Sequence, residues 1–326
     1  MRTVLVSGAS GVVGYGTLRS LRLSRQPIRL IGTTIYSDSV AQGFCDIFEL
    51  APPTSDADYI GWLIHIIQKY NVDLIIPGIE ADMYKWAESM PNINNGRVRA
   101  LLNNIELIFL CRDKWKFYEE LNKINDVSCV IETSLIQDFD VLAEKFGLPF
   151  LLKPRMGYGS RGIVKVDNFD VFSKHKQDVG PLLMAQPLIG NAEEEYTTSA
   201  FGDGNGGICA SMTLRRKLSK EGFTEKAEVA HLDDINDVLL KLSDYFKPIG
   251  PTNFQFRKHN GALKLLEINP RISSATSIRT AFGYNESLMA VEYYLDNTIP
   301  QQPLIKQGRA VRYIEDFIFY ENRIDF

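Results

Sequence analysis

Residues Thr3 to Val6 (TVLV) run straight into Ser7-Gly8-Ala9-Ser10-Gly11-Val12-Val13-Gly14 and then into the helical pattern Thr17-Leu18-Arg19-Ser20-Leu21-Arg22. A short apolar run, glycines three apart and a segment of 3.6-residue period together read as strand, tight turn and helix. A chain that opens this way is committed to a parallel α/β arrangement. The alternation continues through IRLIG at 28–32, a helical stretch at 59–70, DLIIPG at 73–78 and IELIFL at 105–110, the last taken as a fourth strand. Residues 1–111 are therefore expected to form one α/β domain. From Arg112 the pattern becomes a helix at 114–123, an amphipathic stretch near 138–147, and PFLLKP leading into a glycine-rich loop. This predicts a small α+β domain over 112–183. A third domain, 184–326, carries strands and helices and includes the hairpin NFQFRKHNGALKLLEINPR at 253–271.

Composition removes several function classes. Lys plus Arg number 36 against 40 Asp plus Glu, which argues against a general electrostatic nucleic-acid binder. The longest apolar stretches, Trp62 to Ile67 and Ile105 to Cys111, fall far short of the ~18 residues a membrane span requires. The N-terminal residues lack a signal-peptide pattern, so the cytoplasm is the expected compartment. Cys45, Cys111, Cys129 and Cys209 form no C-x-x-C pair and are expected to be buried free thiols.

Three constellations carry chemistry. The first is Gly8-x-x-Gly11-x-x-Gly14, which suits a dinucleotide fold with a pyrophosphate at the helix N-terminus. Against a nicotinamide oxidoreductase, the second run ends in Gly32-Thr33-Thr34 where an acid should hold the ribose, and none of the 14 tyrosines has a lysine four positions on. The second is Lys153-Pro154-Arg155-Met156-Gly157-Tyr158-Gly159-Ser160-Arg161-Gly162 between two apolar runs. Its glycines would let backbone N–H groups approach anionic oxygens, Ser160 adds a hydroxyl donor, and Lys153 can neutralise phosphate charge. An unusual hairpin is the plainer alternative.

The third is the hairpin. Glu267 and Asn269 are two apart and share a face of one strand. A three-residue loop at 259–261 would set Gln255 opposite Leu265 on that face, giving three hard oxygen donors suited to Mg²⁺. A two-residue Asn-Gly turn would send Gln255 to the opposite face.

A lysine strand with a glycine-rich loop, followed about a hundred residues later by N-F-Q-F and E-I-N-P-R, resembles the ATP-grasp superfamily, and within it the synthetase units of the carbamoyl-phosphate synthetase large subunit. The resemblance spans nearly the whole chain and implies a Rossmann-like pre-ATP-grasp domain at 1–111, where IIPGIEAD (75–82) is similar to the family's strand and Pro-Gly-x-Glu, then a small α+β lid and a C-terminal α+β subdomain with the adenine hinge and metal site. It further implies that Lys114, in Arg112-Asp113-Lys114, joins Lys153, Gly157, Gly159 and Ser160 on the ATP phosphates. Gln186 and Leu188 would take the adenine hinge, and Glu195 the ribose, with Glu194 as the alternative register. Gln255, Glu267 and Asn269 hold Mg²⁺, for which Mn²⁺ can substitute, and Arg271 steadies the transferred phosphoryl group.

The implied activity is ATP-dependent ligation of a small-molecule carboxylate to an amine, through an acyl phosphate, with catalysis resting on Lys153 and Arg271. The alternatives are a non-catalytic nucleotide-binding subunit and the nicotinamide enzyme weighed above. Arg215, in Thr213-Leu214-Arg215-Arg216-Lys217, and Arg279, after the metal motif, are candidates for the substrate carboxylate. His65 reads as a core histidine and His259 as a loop residue. The resemblance allows a homodimer and implies neither nucleic-acid nor membrane partners.

Overall fold

A computed structural model describes residues 1–93, 96–157, 162–219 and 222–319. The first sheet contains β1 (Arg2–Val6), β2 (Ile28–Thr34), β3 (Ile47–Leu50), β4 (Leu74–Ile76) and β5 (Arg99–Ala100), all parallel in the order β3-β2-β1-β4-β5. Helices α1 (Val12–Leu23), α2 (Tyr59–Tyr70) and α3 (Glu80–Ile93) connect its strands. Both faces of β1 and β4 are buried, which explains their unbroken apolar runs. Chain order reverses between β1 and β4, so the loops after them, Gly8–Gly11 and Gly78–Ile79, open onto one crevice. Gly8 has φ +55, and a Cβ there would collide with Ile79.

IELIFL does not form a strand. It is helix α4 (Ile105–Leu110), capped by Asn104, whose side chain accepts from the Glu106 N–H at 3.0 Å. A six-residue apolar run carries no period that separates strand from helix, and here the cap decides. Leu107 and Ile108 then enter two different cores.

Helix α5 (Lys114–Leu121) is capped by Asp113. Its Phe117 and Leu121, with Cys129, pack into the core of the last sheet rather than into the small one. The small unit instead gathers α6 (Phe139–Phe146), β6 (Phe150–Pro154), β7 (Val164–Val166), α7 (Phe169–Ser173) and β8 (Leu183–Pro187) around Leu142, Phe150, Leu152, Phe172 and Ala185. Its sheet order is β7-β6-β8, so the expected boundary at 183/184 falls inside β8, and the one at 112 lies ahead of a helix that packs elsewhere.

The last sheet has six strands in the order β13-β12-β9-β10-β11-β14: β9 (Glu195–Asp203), β10 (Ile208–Leu218), β11 (Thr224–Val229), β12 (Ile249–His259), β13 (Ala262–Asn269) and β14 (Arg309–Val311). One face, carrying Tyr196, Ala200, Phe254, Phe256, Leu265 and Ile268, closes on α8 (Ile235–Phe246). Toward the other face lie α9 (Thr276–Ala281) and α10 (Glu286–Asp296); α10 also shares a core with β1 and β4 through Ala290 and Val291. Asn103 Nδ2 donates to Thr252 Oγ1 at 2.7 Å across the same junction. Cys129 is buried and the other three cysteines are half-buried, all four free; His65 is exposed on α2 rather than in the core.

Candidate active site

The site is built on the face of the six-stranded sheet that turns away from α8. The β12–β13 turn is the two-residue Asn260–Gly261, with φ of +51 and +79, and His259 pairs with Ala262. This is not the three-residue loop expected, and in straight register from it Leu266 would face Gln255 while Glu267 pointed into the core. A β-bulge corrects this. Phe256 pairs with Leu265 but Gln255 pairs with Glu267, so Leu266 is the extra residue and Glu267 and Asn269 return to the face of Gln255. The three residues do converge, by a route that turn chemistry alone did not reveal.

Rows across the sheet define the rest. Gln255 lies opposite Thr197 on β9, and Asn253 opposite Ser199. One step further along this face, Glu195 is buried, and both its oxygens are occupied: Oε1 by Arg216 Nη2 at 2.9 Å and Oε2 by Arg257 Nη2 at 2.6 Å. Arg216 Nη2 also donates to Gln255 Oε1 at 2.5 Å. Glu195, placed on a ribose by resemblance, is thus the centre of a buried Arg–Glu–Arg row. Glu194, the other register, is half-buried with Asn191 as its partner at 3.4 Å.

Arg215 is not brought here. Successive strand residues point to opposite faces, so Arg215 lies in the row of Tyr196 and Phe256, about half exposed, paired with Glu228 at 2.8 Å. Arg279 is also removed from solvent: it pairs with Glu286 at 3.1 Å and donates to Ser273, Thr197 and Asn253, with both side chains of the pair fully buried. It braces α9 and α10 on the sheet.

Lys153 comes from the small sheet. Alternation sends Phe150 and Leu152 into their own core and Lys153, opposite Met184, to the other face. Lys153 makes no side-chain hydrogen bond or ion pair among the described residues. Burial pushes its pKa down to about 8; Glu267 resists the shift, Arg257 and Lys114 add to it, and Glu195 resists it. Lys114 reaches the glycine loop, its Nζ donating to the Gly157 carbonyl at 2.7 Å. Asp113 caps α5 and pairs with Arg155 at 2.6 Å, and this partner holds its carboxyl below the usual range even though burial opposes it. Gly157 has φ +120. Gly159 and Ser160 lie outside the described residues.

The expected hinge runs from β8 into a loop. Gln186 is buried, its Nε2 donating to Thr133 Oγ1 at 2.7 Å, and Leu188 is exposed. Beyond it the Ile189 carbonyl accepts from Arg257 Nη1 at 3.3 Å and the Gly190 N–H donates to His259 Nδ1 at 3.0 Å. Gly190 has φ +57 and no room for a Cβ against the Lys258 carbonyl. His259 is therefore more than a loop residue: it ties the hinge to the β12–β13 hairpin. Arg271 meets Glu80 from the β4–α3 crevice at 2.5 Å, joining the first sheet to the last. Glu80 stood in the quoted IIPGIEAD, but nothing in the sequence named its partner.

The matching family model, described as "ATP-grasp in the biosynthetic pathway with Ter operon", covers residues 181–317, which include β8 to β14 but not Lys114, Lys153 or Gly157. Residues 181–317 carry an ATP-grasp domain. In sequence, the chain is 20 % identical over 241 residues to the mitochondrial, ammonia-type carbamoyl-phosphate synthase of Homo sapiens, covering 68 % of this chain and 16 % of that protein. It is 23 % identical over 218 residues to the carbamoyl phosphate synthase large chain of Thermoanaerobacter pseudethanolicus, covering 63 % and 20 %. It therefore spans a fifth or less of these curated relatives. Among solved structures, the N5-carboxyaminoimidazole synthetase of Staphylococcus aureus complexed with ADP superposes with a TM-score of 0.73 at 17 % identity, over 93 % of this chain and 80 % of that one. The biotin carboxylase domain dimer of Hydrogenobacter thermophilus 2-oxoglutarate carboxylase, in complex with MgADP, ADP and bicarbonate, gives 0.73 at 15 % identity, over 94 % and 73 %.

A divalent cation fits part of the donor set. Glu267 and Asn269 stand side by side, Asn269 Nδ2 donating to Glu267 Oε1 at 2.9 Å, and one carboxylate with a carbonyl oxygen is a common Mg²⁺ arrangement when phosphates and water complete it. Gln255 fits less well, because its oxygen already accepts from a guanidinium.

Proposed function

We propose that the chain is an ATP-dependent ligase that activates a small-molecule carboxylate as an acyl phosphate and joins it to an amine. The observation that carries this reading is the convergence of Lys153 and Lys114 from one side with Glu267 and Asn269 from the other. Among the described residues neither lysine has an ion-pair partner, and the Glu267 charge acts on Lys153. In this reading Lys114, Lys153, Gly157, Gly159 and Ser160 hold the phosphates of ATP. The β8 hinge at Gln186 and Leu188 takes the adenine. Glu267 and Asn269 hold Mg²⁺ or Mn²⁺, which when bound offsets phosphate charge.

A carboxylate oxygen of the substrate attacks the γ-phosphorus, the bond to the β,γ-bridging oxygen breaks and ADP leaves. The amine nitrogen then attacks the acyl carbon and expels phosphate, losing its proton to solvent. Lys153 and Lys114 stabilise the charge spread over the transferred group, and Arg271 does so if it exchanges Glu80 for the phosphoryl oxygens. The ADP, MgADP and bicarbonate named for the solved relatives support a nucleotide-and-carboxylate cleft here. The named dimer of the biotin carboxylase domain supports a homodimer, small molecules are the expected partners, and the cytoplasm is the proposed compartment. No helix among the described residues is long and apolar enough to cross a membrane.

The test is ADP release by the purified chain with Mg-ATP across a panel of amino acids and other small carboxylates, each with and without ammonia or an amine. Release stimulated by one acid and lost in Glu267→Gln supports the reading. ATP binding without acid-stimulated release by any member overturns it in favour of a nucleotide-binding subunit.

A further inference from the structure

We infer that the cleft takes one divalent cation per nucleotide, and that Arg216 sets this number by occupying the oxygen of Gln255 that a second ion would need. The inference rests on the nucleotide reading of the cleft. Its basis is the chemistry of one contact. Arg216 Nη2 lies 2.5 Å from Gln255 Oε1 and 2.9 Å from Glu195 Oε1. A guanidinium has five donors and no acceptor, so the carboxamide must turn its oxygen toward it. The end of Gln255 left over is an NH₂ group, which no metal ion accepts as a ligand. Sharing the oxygen between the guanidinium and a dication would set like charges a few ångströms apart with one neutral atom between them.

Arg216 is not free to swing aside. It is buried, and its second bond goes to Glu195, which Arg257 holds from the other side. Two guanidinium groups on one carboxylate leave this row with a net positive charge that is permanent, because arginine does not deprotonate in proteins. Among the described residues Glu267 and Asn269, by contrast, meet no cation closer than the 3.4 Å contact from Arg271 to the Asn269 oxygen. Within a single face, then, the Glu267–Asn269 pair is open to a dication and the Gln255 oxygen is closed to one. Arg216 acts as a positioning residue, working through Gln255.

The test counts ions. The full chain is titrated with Mn²⁺ in the presence of saturating ADP, and bound Mn²⁺ is read from the loss of the free-ion electron paramagnetic resonance signal. One ion per chain is expected, and two would overturn the inference while leaving the nucleotide reading intact. Failure of ADP itself to bind, seen by calorimetry, would overturn both. Gln255→Leu should leave the Mn²⁺ dissociation constant within about twofold, whereas Glu267→Gln should weaken it at least tenfold; a tenfold loss with Gln255→Leu contradicts the inference. Arg216→Met, if it folds, should raise the count to two. The count on the unsubstituted chain decides the matter whether or not that variant folds.

Discussion

One face of the six-stranded sheet offers Tyr196, Phe254, Phe256, Leu265 and Ile268 to α8, and the other carries Glu195, Arg216, Arg257, Gln255 and Glu267, although the same strands supply both. The apolar face is held by many interchangeable contacts, each substitution felt mainly as lost volume. The other face packs partly on α9 and α10, and its polar rows are held by a few directional bonds between charges that burial makes costly to leave unpaired. The first face should therefore govern stability and the second chemistry, apart from the charges that are themselves locked into the core.

The largest effect should come from the apolar face. Phe256→Ala should lose about 3–5 kcal/mol in urea unfolding, and a loss under ~1 kcal/mol would break the comparison. Arg279→Ala lies on the polar side yet should behave like a core change, costing about 3 kcal/mol because Glu286 is left buried and unpaired; unaltered unfolding would show that the pair is dispensable. Glu267→Gln should reverse the pattern, with unfolding shifted by less than ~1 kcal/mol and ADP formation lowered at least ~100-fold.

A smaller effect concerns Lys153. Its proton is held in the folded, nucleotide-free protein below about pH 8 and lost above it, whereas an unfolded lysine keeps its proton to near pH 10.4. Losing that proton removes a cation from an anion site, so ADP affinity measured without metal should fall as pH rises past 8, by at most about tenfold per pH unit. Lys153→Arg should flatten the profile, and an unchanged slope in that variant would assign the titration to another group. The smallest effect should be that of Arg215→Ala, whose half-exposed pair with Glu228 contributes about 0–1 kcal/mol and nothing to turnover. A large loss of activity there would place the substrate on the wrong face.

This comparison also explains what the sequence disclosed. The resemblance named Gln255, Glu267 and Asn269, which the structure sets on one face, whereas the expected loop placed Leu265 on that face and the structure puts it in the core. The bulge at Leu266 was hidden, because one unpaired residue leaves no mark in an apolar–polar pattern that tolerates Leu on either face. The choice of Arg216 over Arg215 was hidden for the same reason: adjacent arginines are indistinguishable until the strand's register is known. Helix α4 was misread although its Asn104 cap stood in the sequence, whereas the bonds from Arg271 to Glu80 and from Gly190 to His259 span too many residues for any local signal.

The central claim is that a substrate carboxylate attacks the γ-phosphoryl group in this cleft. It is tested most directly by supplying the acid that stimulates ADP release with ¹⁸O in its carboxylate, together with the amine, and analysing the phosphate formed by mass spectrometry. An acyl phosphate requires one labelled oxygen to leave with the phosphate, and that is the predicted result. Phosphate free of label, formed at the same rate as the ligated product, would contradict it.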